Sequence, residues 1–279
     1  MILIAVTIFL ITLSVVILHT IIGCILVPLR GSLFIDGIGH SVVFGIISGF
    51  LIGKNLNSIW LFIGAVFSSI LMNFLIIIFN KKKEINYDSS VGLSFSFLFS
   101  IGILLISIYA KNIHLDLDMI LLGNVEYAIY DTVNFLNLII LPKIFLISLF
   151  LILIFLISIS LFFKEIIFIL FDKEYSKIKG INIFLIETII SIFSSYVIVT
   201  SFNIMGALIL VGIATAPFGF IWKSSKNFFD FLYKSILINS FFSFIAIIFS
   251  LKYNLPISAT VSLFLTFFSI LNLIIKFIY

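Results

Sequence analysis

Leu33-Phe34-Ile35-Asp36-Gly37-Ile38-Gly39-His40-Ser41-Val42-Val43-Phe44-Gly45-Ile46-Ile47-Ser48-Gly49-Phe50-Leu51-Ile52 is a run of twenty residues with two ionisable side chains. At about 1.5 Å per residue it is as long as the hydrocarbon core of a bilayer is thick. Asp36 and His40 stand four apart, so on a helix they project from one face. Ionisable groups inside a membrane segment are costly and usually face a polar cavity or a partner. A carboxylate beside an imidazole also makes a plausible ligand pair for a divalent transition metal. Two readings stand on spacing alone: a metal pair, or two interfacial groups that anchor the helix.

The rest of the chain is of the same kind. Of 279 residues, 63% are hydrophobic and only 10% charged, against roughly half and a quarter in soluble domains. Such a chain is an integral membrane protein, and its long charge-poor runs predict helices instead of barrel strands. The fold class is therefore all-α, a polytopic transmembrane bundle expected to form a single domain over 1–279. The net charge of +4 comes from basic residues scattered over loops without interleaved aromatics, which argues against nucleic acid as a partner. Cys24 is the one cysteine, so no internal disulfide forms and a buried thiol is expected. The first segment lacks a basic n-region and is read as a retained span.

Nine apolar runs qualify as spans, roughly 2–27, 33–52, 57–79, 91–109, 135–163, 183–202, 204–222, 229–250 and 256–277. Only Phe202-Asn203 divides the sixth from the seventh, so a broken element, and eight spans, is the alternative. With the Lys81-Lys82-Lys83 loop cytoplasmic, twelve of the sixteen basic residues fall inside and the N-terminus outside. Arg30 is then an interfacial, positive-inside residue. Asp36 lies close to the cytoplasmic end of its span, unless residues 28–41, with Pro28, Gly31, Gly37 and Gly39, form a broken element.

Two connections are long. Residues 110–132 carry His114, Asp116, Asp118, Glu126 and Asp131, read as an acidic solvated loop. In residues 164–182, Phe168, Phe171, Tyr175 and Ile178 recur at helical spacing beside charged positions. That predicts an amphipathic helix, lying on the membrane or docking into a cytoplasmic partner, with Gly180 as its stop. Small residues cluster in the second and seventh runs, where Gly37, Gly45, Gly206 and Gly212 allow close helix packing and Pro217 a kink. No phosphate loop, His-Glu-x-x-His or Gly-x-Ser-x-Gly motif occurs, so neither ATP binding by that route nor those catalytic chemistries is expected.

Four patches, in order, carry a resemblance. They are Val27-Pro28-Leu29-Arg30-Gly31-Ser32 running into Asp36 and His40, Phe171-Asp172-Lys173-Glu174-Tyr175 through Gly180-Ile181, Asn203-Ile204-Met205-Gly206 through Gly212 to Ala216-Pro217, and Tyr253-Asn254-Leu255-Pro256 through Val261. Together they resemble the membrane subunits of metal-type ABC importers, which take up zinc, manganese or iron(II) in bacteria. The chain departs from that pattern at Leu29, Ile35, Gly39 and Phe44, but Asp36 and His40 are kept.

The resemblance implies a helical fold of the vitamin B12/siderophore-permease kind in the bacterial cytoplasmic (inner) membrane. It implies a non-enzymatic permease with no permanently bound cofactor, carrying Zn(II), Mn(II) or Fe(II). Its partners would be cytoplasmic ATPase subunits, a second permease subunit and an extracytoplasmic metal-binding protein. Asp36 and His40 would be the metal ligands, doubled across a two-fold axis. Phe171, Asp172, Tyr175 and Gly180 would belong to the ATPase-coupling loop. From the residues alone, an ion-coupled secondary transporter using Asp36 and His40 as a relay, or an intramembrane metalloenzyme, remains open. The amphipathic segment at 164–182 favours the ATPase-coupled reading, because neither alternative gives it a role.

Overall fold

Residues 2–50 are helical apart from one position, Gly31, whose φ of +81° separates α1 (Ile2–Arg30) from α2 (Ser32–Gly53). The computed structural model describes residues 2–54, 59–80, 85–109, 125–135 and 139–278. Beyond α2 follow α3 (Ile59–Asn80), α4 (Tyr87–Tyr109) and a one-turn α5 (Val125–Ala128). An antiparallel hairpin of β1 (Thr132–Phe135) and β2 (Ile139–Pro142) pairs Thr132 with Pro142 and Phe135 with Ile139. Then come α6 (Lys143–Leu161), α7 (Phe163–Phe171), α8 (Lys173–Ile178), α9 (Ile183–Met205), α10 (Ala207–Phe220), α11 (Phe228–Tyr253) and α12 (Ile257–Ile278).

Helices dominate because lipid offers the backbone no hydrogen bonds, so each spanning segment must satisfy its own. Among the described residues eight helices are long and apolar enough to cross a membrane. The exception in the expected set is the seventh run. There α10 has fourteen residues, about 20 Å of helix against a core of about 30 Å. It is cut from α9 at Gly206, where φ is 70° and ψ 163°, a region essentially restricted to glycine. Gly206 is buried, beside the fully buried Met205, so this break lies inside the bundle. Pro217 sits within α10.

Two further expectations change. The fifth run, 135–163, is divided: residues 139–142 are strand, and only Lys143–Leu161 is spanning helix. The apolar strand residues had lengthened the run without being helical. The segment 164–182 is two short helices, because Asp172 leaves helical geometry (φ −151°, ψ 97°) and caps α8.

The core is built on α1, whose Ile11, Val15, Leu18, Ile21 and Leu26 are sealed from solvent against α6, α9, α10 and α11. Polar groups bond between helices here: Asn239 Nδ2 donates to Thr20 Oγ1 (2.8 Å) and to the Ile213 carbonyl (3.0 Å), and Ser148 Oγ donates to Ser14 Oγ (2.7 Å). Cys24 is buried in this core and unpaired. The second packing unit is α2 with α3 and α4. Gly45 of α2 sits against the backbone of Gly64 and Ala65 in α3, so closely that a Cβ would fall 2.5 Å from Ala65 Cα. Outward faces carry Phe67, Phe74, Phe97, Phe150 and Phe241, as a lipid-facing surface requires.

Candidate functional site

The break at Gly31 decides how Asp36 and His40 are held. Pro28 lies inside α1, and Gly37 and Gly39 inside α2, so the interruption is confined to one residue. Asp36 therefore lies about 6 Å, and His40 about 12 Å, along α2 from its first residue. Residues Phe34, Ile35, Gly37, Ile38, Gly39 and Ser41 to Val43 are buried, whereas Leu33, Asp36, His40, Phe44, Ser48 and Leu51 are partly open. Those six recur at steps of three, four, four, four and three. They form a half-open stripe that holds the two ionisable groups; Ile46 and Phe50, also partly open, lie on a different face.

Within the stripe, His40 Nε2 is 3.5 Å from Asp36 Oδ1, and the side chains are 19% and 27% exposed. The imidazole is held by two rings of α4: Phe95 stacks on it (centroids 5.6 Å, 25°) and Phe99 meets it edge-on (5.3 Å, 71°). His40 Nδ1 is buried without a hydrogen-bond partner. Oxygen and imidazole nitrogen are the donors that Mn(II), Fe(II) and Zn(II) accept. No group of three or more His, Cys, Asp or Glu side chains that could hold a metal exists among the described residues. One chain thus offers two ligands. The His114, Asp116 and Asp118 loop lies outside the described residues. An apolar cleft lined by Ile25, Phe155, Ile166 and Phe193 is separate from the pair and has no ionisable lining.

Two of the small residues lie against neighbouring helices. Gly37 backs the Asp36 turn onto Met72 and Val91, and Gly212 lies against Ser262 of α12.

At the other candidate site, Phe171 (70% exposed) ends α7 and Ile178 (82%) ends α8, with Tyr175 (41%) between them. Asp172 Oδ1 accepts the Tyr175 amide at 2.9 Å, an N-cap that opens α8. Gly180 (φ 74°) closes it: its amide donates to the Lys177 carbonyl and that of Ile181 to the Ser176 carbonyl, each at 3.0 Å. This is the paired bonding of a glycine helix stop. Phe168 and Tyr175 touch edge-on at 5.4 Å. The three exposed apolar side chains therefore project from a small folded unit, not from one continuous helix.

Arg30, the last residue of α1, is packed inside the protein and paired. It is 8% exposed and its Nη2 lies 3.2 Å from Glu187 Oε2. Lys173 Nζ donates to the other oxygen, Oε1, at 2.9 Å. Glu187 and the clamp of Phe95 and Phe99 were not among the residues picked from sequence. For Glu187 a signal existed, since it is the sole charge in the apolar run 183–202, and a charge within a span points to a partner.

Spanning helices that present a carboxylate–imidazole pair on a half-open face have the build of a membrane permease. The chain belongs to the ABC 3 transport family, whose model matches residues 3–276. It is 31% identical over 196 residues to the manganese transport system membrane protein MntD of Bacillus subtilis (strain 168), covering 70% of this chain and 66% of that protein. It is 32% identical over 195 residues to the zinc transport system membrane protein TroD of Treponema pallidum (strain Nichols), covering 70% of this chain and 53% of that one. The matched stretch is thus less than two thirds of either relative's length. A solved structure, PsaBC from Streptococcus pneumoniae in complex with Fab, has the same fold with a TM-score of 0.77 at 21% identity, covering 95% of this chain and 89% of that one.

Proposed function

We propose that this chain is the membrane-spanning subunit of an ATP-driven importer of Mn(II) or Zn(II), with Asp36 and His40 as transient ligands of the transported ion. The observation that carries this reading is the placing of both side chains on the same half-open stripe of α2, 3.5 Å apart. Family membership supports ATP-driven transport over the ion-coupled alternative, and manganese and zinc are the metals in the relatives' names.

A second copy, or a homologous subunit, would supply two further ligands and complete a four-donor set. Four O and N donors suit either ion, and a site shared between subunits can open to release it. The bound cation would compensate the paired aspartates, which answers the cost of placing charge in the membrane. Extracytoplasmic delivery would fall to a metal-binding protein and ATP hydrolysis to separate cytoplasmic subunits. The latter would dock on Phe171, Asp172, Tyr175 and the turn at Gly180. The chain then acts as one permease domain in a bacterial cytoplasmic membrane.

The test is uptake of radioactive Mn(II) and Zn(II) by cells that depend on this importer, comparing the native chain with Asp36→Ala and His40→Ala at equal membrane abundance. Uptake lost in both variants supports the assignment. Uptake equal to that of the native chain for both ions refutes it.

A further inference from the structure

We propose that Glu187 is a positioning residue that couples the cytoplasmic segment α7–α8 to the helix bearing the metal pair. The inference rests on the reading of the chain as an ATP-driven permease and extends it.

Glu187 stands one turn into α9, and its two oxygens face different elements. Oε1 takes Lys173, the first residue of α8, at 2.9 Å; Oε2 takes Arg30, the last residue of α1, at 3.2 Å. The two arms differ in setting. Arg30 and Glu187 side chains are 7% and 13% exposed, so Arg30 cannot lose Glu187 without leaving a buried charge unpaired, and the two move as a unit. Lys173 is 51% exposed, and an ion pair of that kind adds little to static stability.

From Arg30 the contacts lead to α2. Its guanidinium lies over the Phe34 ring (5.5 Å) and the Tyr87 ring (5.9 Å), and Nη1 reaches the Tyr87 hydroxyl at 3.5 Å. Phe34 is 1% exposed and stands two residues before Asp36. Between Arg30 and α2 lies only Gly31, in a backbone conformation with φ 81° and ψ 161° that marks a joint. The guanidinium Nε is buried and unpartnered, which leaves one donor free to take an acceptor if α2 shifts. A displacement of α8 would pull on Glu187, carry Arg30 with it and turn α2 about Gly31. That motion reorients Asp36 and His40 without any direct contact between the docking surface and the metal pair.

Contiguity alone does not establish coupling, so the readout is the ratio of Mn(II) transported to ATP hydrolysed. It is measured in the complete complex reconstituted in vesicles, with radioactive Mn(II). For Glu187→Gln in an assembled complex, the ratio is expected to fall about fivefold or more, the scale of ordinary coupling. Hydrolysis should persist, and Glu187→Asp should recover part of the ratio. Lys173→Met, which leaves the buried pair intact, is expected to lower the ratio in the same direction, and it decides the matter if Glu187→Gln fails to assemble. A ratio unchanged from the native chain in the assembled Glu187→Gln and Lys173→Met complexes overturns the inference, as does parallel loss of transport and hydrolysis. Asp36→Ala, run alongside, separates the two readings: if it transports like the native chain, the metal-pair assignment is what has failed.

Discussion

His40 Nε2 and Asp36 Oδ1 are 3.5 Å apart, close enough for the two side chains to share one cation. Imidazole nitrogen favours zinc more than manganese, whereas a second carboxylate is a harder ligand that favours manganese. His40→Asp is therefore expected to reduce Zn(II) uptake more than Mn(II) uptake. Competition between the two radioactive ions in one assay checks it; an unchanged preference would count against His40 as a ligand.

Phe171, Tyr175 and Ile178 expose apolar surface on the folded unit proposed to dock the ATPase. Interface cores of this kind are commonly dominated by a few such anchors, each worth about 2 kcal/mol or more. Phe171→Asp and Ile178→Asp are expected to reduce co-purification of the ATPase subunits at least tenfold, while membrane abundance of the permease stays the same. Undiminished recovery of the complex would place the docking surface elsewhere.

Gly45 has no room for a side chain against Gly64 and Ala65. Overpacking of this sort costs about 1–3 kcal/mol. Gly45→Val should lower the thermal unfolding midpoint in detergent and separate α2 from α3. Gly92, with nothing within 4 Å of an added Cβ, should tolerate alanine without loss in the same measurement.

Gly206 holds φ 70° and ψ 163° at the junction of α9 and α10. A non-glycine residue there bears about 1–3 kcal/mol of backbone strain. Gly206→Ala is expected to destabilise the purified protein by that amount in denaturation experiments. An unchanged midpoint would mean that α9 and α10 can join without this conformation.

The membrane class, the helical architecture and the closeness of Asp36 to His40 on one helix were legible in sequence, because each rests on a local quantity: run length, charge content, or a four-residue spacing. The errors lie where hydropathy says nothing about backbone geometry. Residues 139–142 are as apolar as the helix they precede, so the strand was absorbed into a span. Asp172 looks like any charge on an amphipathic helix until its side chain is seen capping α8. Arg30 shows the limit most clearly. Positive-inside reasoning treats it as a lone charge at the end of α1, but its partner is 157 positions along the chain. No spacing rule relates Arg30 to Glu187; only the packing of α1 beside α9 brings them together.

The most direct test is ATP-driven accumulation of radioactive Mn(II) and Zn(II) in vesicles containing this chain with the ATPase and binding protein proposed for it. The native chain should accumulate at least one of the two ions, and Asp36→Ala and His40→Ala neither, while all three assemble equally. Accumulation by both variants at the native rate would contradict the claim that this pair carries the metal through the membrane.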